Sequence, residues 1–123
     1  MMTGTVNDEM DAMLTLTLQG DSGLEADVEA ILDTGFSGAL MLPTEIIESL
    51  RLHSDGVREA MLADGEMVVL DTYAGSVIWD SEAIDIEILA TTAQALVGME
   101  LLRGYRLRID VEPGGEILIE AIS

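Results

Sequence analysis

Apolar and polar residues alternate with a period of two along most of this chain, and that periodicity restricts the fold more than any other feature. "MLTLTLQG" places Leu14, Leu16 and Leu18 on one face and Thr15 and Thr17 on the other. "EADVEAIL" carries Val28, Ala30 and Leu32 in the same way, and the "GDSG" between them predicts a hairpin turn. "REAMLADGEMVVL" reads as a hairpin centred on Asp64-Gly65, because Asp-Gly favours tight hairpin turns. "TYAGSVIW" and "AIDIEILA" flank the turn "DSE", with Ile84, Ile86 and Ile88 opposed to Asp85 and Glu87. A last hairpin joins "YRLRIDV" and "EILIEAI" through "EPGG".

Two places break the alternation. "TEIIESLRL" has Ile46, Ile47 and Leu50 at helical spacing, acidic residues early and Arg51 late, as a helix dipole prefers. "ALVGMELLRG" reads as a short buried strand ending at Gly98, followed by a helical turn. A chain of 123 residues is long enough for one core and has no repeat, linker or low-complexity segment. The expectation is one domain over residues 1–123. It is mainly β, a closed barrel-like core with one or two short helices.

Charge narrows the function classes. There are 24 acidic residues against five Arg and no Lys, for a net charge of −19. Such a surface repels phosphate backbones, so no nucleic-acid partner is expected. Arg103, Arg106 and Arg108 lie close together, but inside so acidic a chain they read as locally paired. A hydrophobic share of 49% and a mean hydropathy of +0.36 separate the chain from a disordered acidic tail, and with aromatics at 3% the core must be aliphatic.

No apolar run approaches the roughly 20 residues of a membrane span, and the N-terminus lacks a basic, then apolar, leader. A cytoplasmic protein without membrane contact is expected. With no Cys and one His, His53, neither a thiolate nor a transition-metal site is expected, and no cofactor is implied. His53 reads as a solvated loop residue, and Glu25, Asp27 and Glu29 as the wet face of a strand. Tyr73, Trp79 and Tyr105 read as core or interface residues.

The chemistry centres on "AILDTGFSGALMLP", where Asp33 closes the apolar run Ala30-Ile31-Leu32. Asp, Thr and Gly are ordinary turn residues, so the triplet alone fits a plain turn between two strands. Its apolar flanks place the carboxylate where water is scarce, and such a group is costly unless paired or protonated. Gly35 and Gly38 bracket Phe36-Ser37 and permit a tight path that aims Asp33 into a cleft. An aspartyl-phosphate enzyme would need a second acid or a Lys nearby, which is absent, and there is no Gly-Lys phosphate loop.

From about Leu14 to Ile109 the chain resembles the single-domain, retropepsin-like aspartic proteases (clan AA). The resemblance rests on apolar-apolar-Asp-Thr-Gly at Ile31 to Gly35 and on "LVGMELL", with Leu96, Val97 and Gly98 as its apolar-apolar-Gly. It is closest to the prokaryotic members that read Asp-Thr-Gly-Phe. Retroviral members usually carry a small residue and then an acid after the first Gly, and an Arg after the second motif's Gly. Those acid and Arg form an ion pair that supports the turn and the dimer. Here the places hold Phe36, Ser37 and Met99, so both partners of that pair are missing.

The resemblance implies an acid-protease fold and a homodimeric aspartic endopeptidase, a hydrolase of peptide or protein substrates. Asp33 would be catalytic, Thr34 and Gly35 would form the active-site turn, and Phe36 and Ser37 would border substrate. The hairpin at Asp64 and Gly65 would be a flap. Leu96, Val97 and Gly98 would be the structural second motif. The alternative is a non-catalytic retropepsin-like module for peptide binding or dimerisation, in which Phe36 narrows the cleft.

Overall fold

The alternating leucines fold as their spacing requires. In a computed structural model of the chain, which describes residues 1–61 and 64–123, Leu14, Leu16 and Leu18 are all buried and Thr15 faces solvent. Among the described residues the elements begin with β1 (Met2–Val6), β2 (Ala12–Gln19), β3 (Glu25–Leu32), β4 (Leu40–Pro43) and the helix α1 (Thr44–Ser49). Then come β5 (His53–Met61), β6 (Met67–Trp79), β7 (Glu82–Thr91), β8 (Leu96–Val97), the helical turn α2 (Met99–Leu102), β9 (Tyr105–Ile109) and β10 (Glu116–Ala121).

In the β2–β3 hairpin Leu14 lies opposite Ala30 and Leu16 opposite Val28, which stacks two apolar faces on one side. Burying a Leu side chain fully is worth about 1.5–3 kcal/mol, and a one-residue slip would expose the whole set. The register is therefore fixed by the sequence. From β2 the sheet runs through β3, β8, β4, β7 and β6, and β6 returns to β2 through Leu18–Val77 and Gln19–Ser76. These six strands close a ring around an aliphatic core whose fully covered members include Leu18, Leu40, Leu42, Val77, Ile88 and Val97. Strand β5 extends outward from β6, and β1, β10 and β9 continue the sheet from the other end of β2.

Several local expectations are corrected. Arg51 does not cap the helix: α1 stops at Ser49, and Arg51 lies beyond it with φ of 53°. The hairpin centred on Asp64-Gly65 forms, but its loop is longer than the Asp-Gly pair. Met61 pairs with Met67, so five residues separate the paired positions, and Asp64 accepts a hydrogen bond from the Glu66 backbone N–H at 2.8 Å, with Gly65 at φ of 87°. The tight turn is Asp80-Ser81, both at positive φ (50° and 72°), so Glu82 already belongs to β7. His53 begins β5 instead of lying in a loop, and remains exposed. Strand β1 pairs with both β10 and β2, although "MTGTV" is too short and polar to announce itself.

Trp79 is buried and meets half-buried Tyr105 edge to face, with ring centroids 5.8 Å apart. The Tyr105 hydroxyl reaches towards Asp80 Oδ2 at 3.4 Å, and Asp80 Oδ1 accepts a hydrogen bond from the Met1 ammonium at 2.8 Å. Desolvation, then the nearby Asp80 charge, holds the Tyr105 phenol above its ordinary range. The hydrogen bond from the amino terminus holds Asp80 below its own. Arg106 lies 3.9 Å from Glu120, whereas Arg103 and Arg108 have no ion-pair partner among the described residues.

Candidate functional site

Asp33 sits where β3 runs out, and a second segment holds it there. β8 lies between β3 and β4, with Leu32 paired to Val97 on one side and Leu40 paired to Val97 on the other. The turn 33–39 therefore has to pass over the end of β8. Four backbone hydrogen bonds fasten it: Asp33 N–H to Val97 O (2.9 Å), Gly98 N–H to Ala39 O (3.0 Å), Met99 N–H to Phe36 O (2.8 Å) and Glu100 N–H to Gly38 O (3.2 Å). Leu96, Val97 and Gly98 thus lie directly beneath Asp33 to Gly38. The two sequence motifs form a single structure.

Gly98 is required by proximity. A Cβ there would overlap the Gly38 carbonyl oxygen and lie 2.5 Å from Phe36 Cδ2 and 2.7 Å from the Phe36 carbonyl oxygen. A Cβ on Gly38 would lie 2.7 Å from Phe36 Cζ. The two glycines make a seat for the Phe36 ring. Ser37 and Met99 are exposed, and no charge pair joins those positions. Aromatic packing on Gly98 and Gly38 buttresses this turn from inside.

The Asp33 side chain is half-buried, and its Oδ1 accepts a hydrogen bond from the Gly35 backbone N–H at 2.9 Å. That bond fixes one carboxylate oxygen and leaves the other without a partner among the described residues. Thr34 and Gly35 are exposed, and the Thr34 hydroxyl makes no hydrogen bond among the described residues. The turn thus offers a carboxylate, a hydroxyl and a bare backbone outward.

Across from the turn stands the β5–β6 hairpin. A cleft of about 180 Å³ separates them, lined on one side by Gly35, Phe36 and Ser37 and on the other by Arg58, Ala60, Met61 and Leu70. Phe36 and Ser37 border the cleft. Asp64 and Gly65 do not: they lie in the loop beyond Met61, and the hairpin's flank makes the wall. Met61 and Leu70 carried no clear sequence signal, because β5 has no apolar alternation and β6 opens on the unbroken apolar run Met67 to Leu70. Arg58 could have been noticed as the only cation in a long acidic hairpin; it pairs with Glu87 at 2.8 Å. His53 lies away from this cleft, with Nε2 at 3.7 Å from Asp21 Oδ1.

Two solved structures superpose on most of this arrangement. The EIAV protease complexed with the inhibitor HBY-793 is 15% identical, and the match covers 79% of this chain and 89% of that one at a TM-score of 0.62. A retropepsin-like aspartic protease from Rickettsia conorii is 17% identical, covering 99% and 91% at a TM-score of 0.57. The chain has the retropepsin-like fold. No protein-family model and no curated protein matches the sequence. The likeness therefore lies in the path of the retropepsin-like backbone. None of the described helices is long and apolar enough to cross a membrane.

Proposed function

We propose that this protein is an aspartic endopeptidase that works as a homodimer, with residues 1–123 as one domain supplying half of the active site. The observation that carries the reading is the Asp33 turn: a half-buried carboxylate with one oxygen fixed by Gly35, clamped over β8 in the turn whose next residues, Gly35, Phe36 and Ser37, line a cleft. One chain offers one such carboxylate, and the chemistry needs two. A twofold axis passing beside Thr34 would bring two Asp33 side chains to about 3 Å, where like charges oppose each other and the pair shares one proton.

The steps follow from that shared proton. The ionised Asp33 accepts a proton from a trapped water as its oxygen attacks the scissile carbonyl carbon, and the protonated Asp33 donates to the carbonyl oxygen. A tetrahedral diol results. Its collapse breaks the carbon–nitrogen bond, and the proton taken from water passes to the leaving amine. Thr34, exposed and without an internal partner, would hydrogen-bond across the axis and hold the two turns together. Gly35 lets the substrate backbone approach. The β5–β6 hairpin, with Asp64 and Gly65 in its loop, would close as a flap and exclude water. Phe36, Met61 and Leu70 favour apolar side chains beside the scissile bond. The seated Phe36 ring borders the cleft without filling it, which favours turnover over binding alone.

The test compares wild type with Asp33→Asn on a peptide library from about pH 3 to 8. Asn keeps the Oδ1 acceptor for Gly35 and so preserves the turn. Cleavage by wild type, reduced by a factor on the order of 10²–10⁴ or more in the variant, supports the reading. Equal activity, or no cleavage by a folded wild-type dimer, overturns it.

A further inference from the structure

The retropepsin-like ring leaves part of one strand uncovered. β7 pairs with β6 along Glu82–Leu89, but its other edge meets β4 only from Ile88 to Thr91. Along Glu82 to Glu87 that second edge has no strand beside it among the described residues. An open edge presents unpaired N–H and C=O groups and is a template for another strand.

A groove of about 430 Å³ runs beside this edge, walled opposite by Glu100 and Leu101 of α2, by Arg103 and by Tyr105. It shares no lining residue with the cleft under the β5–β6 hairpin. Trp79 also lines it. That side chain is only 4% exposed, and its indole Nε1 is buried without a hydrogen-bond partner. A buried donor left unpaired costs about 1–3 kcal/mol, so an acceptor brought to it would be favoured. Half-buried Ile84 and Ile86 supply apolar surface.

Charge selects the occupant. Glu82, Asp85, Glu87 and Glu100 face one Arg103, and Glu82 and Glu100 have no ion-pair partner among the described residues. A second copy of this chain, at net charge −19 and without Lys, is a poor complement. The geometry points to a docking site, separate from the catalytic cleft, for an extended segment of another protein that alternates apolar with Lys or Arg residues. The segment adds as a strand to the Glu82–Glu87 edge, gives a backbone carbonyl to Trp79 Nε1 and sets its cations against Glu82 and Glu100.

Trp79 is the only Trp in the chain, so its emission reports on this groove. The experiment titrates full-length Asp33→Asn protein, which keeps the probe from being cut, with a labelled Lys/Val-alternating decapeptide. Label anisotropy and Trp79 emission are followed together. A Glu/Val decapeptide and a backbone N-methylated Lys/Val decapeptide serve as controls. The site predicts saturable binding that shifts Trp79 emission, weakens at least about tenfold in Glu82→Gln/Glu100→Gln, weakens with salt and is lost for both controls. Trp79→Phe, read by anisotropy alone, should also bind more weakly.

No saturable binding at about 1 mM peptide overturns the assignment. So does binding that leaves Trp79 emission unmoved, which is the signature of peptide held only in the catalytic cleft. Self-association that depends on Glu82 and Glu100 would assign the edge to a second copy and overturn it as well. The outcome does not depend on catalysis, since Asp33 is already disabled.

Discussion

Gly98→Ala should cost more than any other single methyl group added near the turn. The new Cβ would overlap the Gly38 carbonyl oxygen and sit 2.7 Å from that of Phe36. Both oxygens are main-chain atoms, so no rotamer change relieves them. Moving the Phe36 oxygen to an ordinary separation of 3.4 Å requires a shift of about 0.7 Å. That shift would stretch the 2.8 Å bond from Met99 N–H past a useful length, and the 3.2 Å bond from Glu100 N–H has less to give. Two hydrogen bonds at about 0.5–1.5 kcal/mol each and overpacking of about 1–3 kcal/mol sum to about 2–6 kcal/mol.

Equilibrium urea unfolding at one fixed protein concentration reads this as a lower midpoint. With a slope of about 2 kcal/mol per molar, the drop is on the order of 1–3 M. Adding Phe36→Ala removes the ring contact at 2.5 Å but neither carbonyl contact, so it should recover less than half of the loss. A midpoint within about 0.2 M of wild type at unchanged slope would refute the claim that the second motif seats the first by close backbone approach. Full recovery in the double variant would assign the clash to the ring instead.

Other consequences can be checked on the same protein. Leu18→Ala, at the Leu18–Val77 contact that closes the ring, should cost about 2–5 kcal/mol in urea unfolding, whereas Thr15→Ala on the wet face should stay within about 0.5 kcal/mol. Ser81→Gly should raise the midpoint, worth about 0.4–1 kcal/mol, because Ser81 holds φ of 72° in the Asp80-Ser81 turn. Asp80 is held below the ordinary carboxylate range by its hydrogen bond from the amino terminus. Its stabilisation is thus present above the unfolded-state value and lost as pH falls through the folded one. Asp80→Asn should therefore flatten the acid side of the stability profile below about pH 4 while lowering stability at neutral pH. A profile parallel to wild type would remove Asp80 as the cause.

Much of this retropepsin-like architecture could be read from residue spacing. Alternation fixed β2, β3, β7 and β10, because one face of each is buried and a slip would be costly. "LVG" was readable as a buried strand, and its pairing with "LDTG" places Val97 against Leu32. The hairpin centred on Asp64-Gly65 is present, but the tightest turn lies elsewhere, at Asp80-Ser81. Asp64-Gly65 has the better turn chemistry, but the Met61–Met67 register overrides it, while Asp80-Ser81 takes positive φ at both positions because β6 and β7 pair up to Trp79 and Glu82. Propensity is local and register is shared across a sheet, so register prevails. β1 was illegible because its stability comes from partners distant in sequence, Ile117 and Ile119 on β10 among them. The groove beside β7 was invisible for a similar reason, since an open edge exists only once the other strands are placed.

The central claim is that two Asp33 carboxylates from two subunits make one active site. It is tested most directly by mixing wild-type and Asp33→Asn protein at fixed total concentration, allowing subunit exchange, and measuring peptide cleavage against the wild-type fraction. If both carboxylates are needed, activity follows the square of that fraction, and an equal mixture retains about a quarter of wild-type activity. A linear response, with about half remaining, would mean that each chain works alone and would contradict the account.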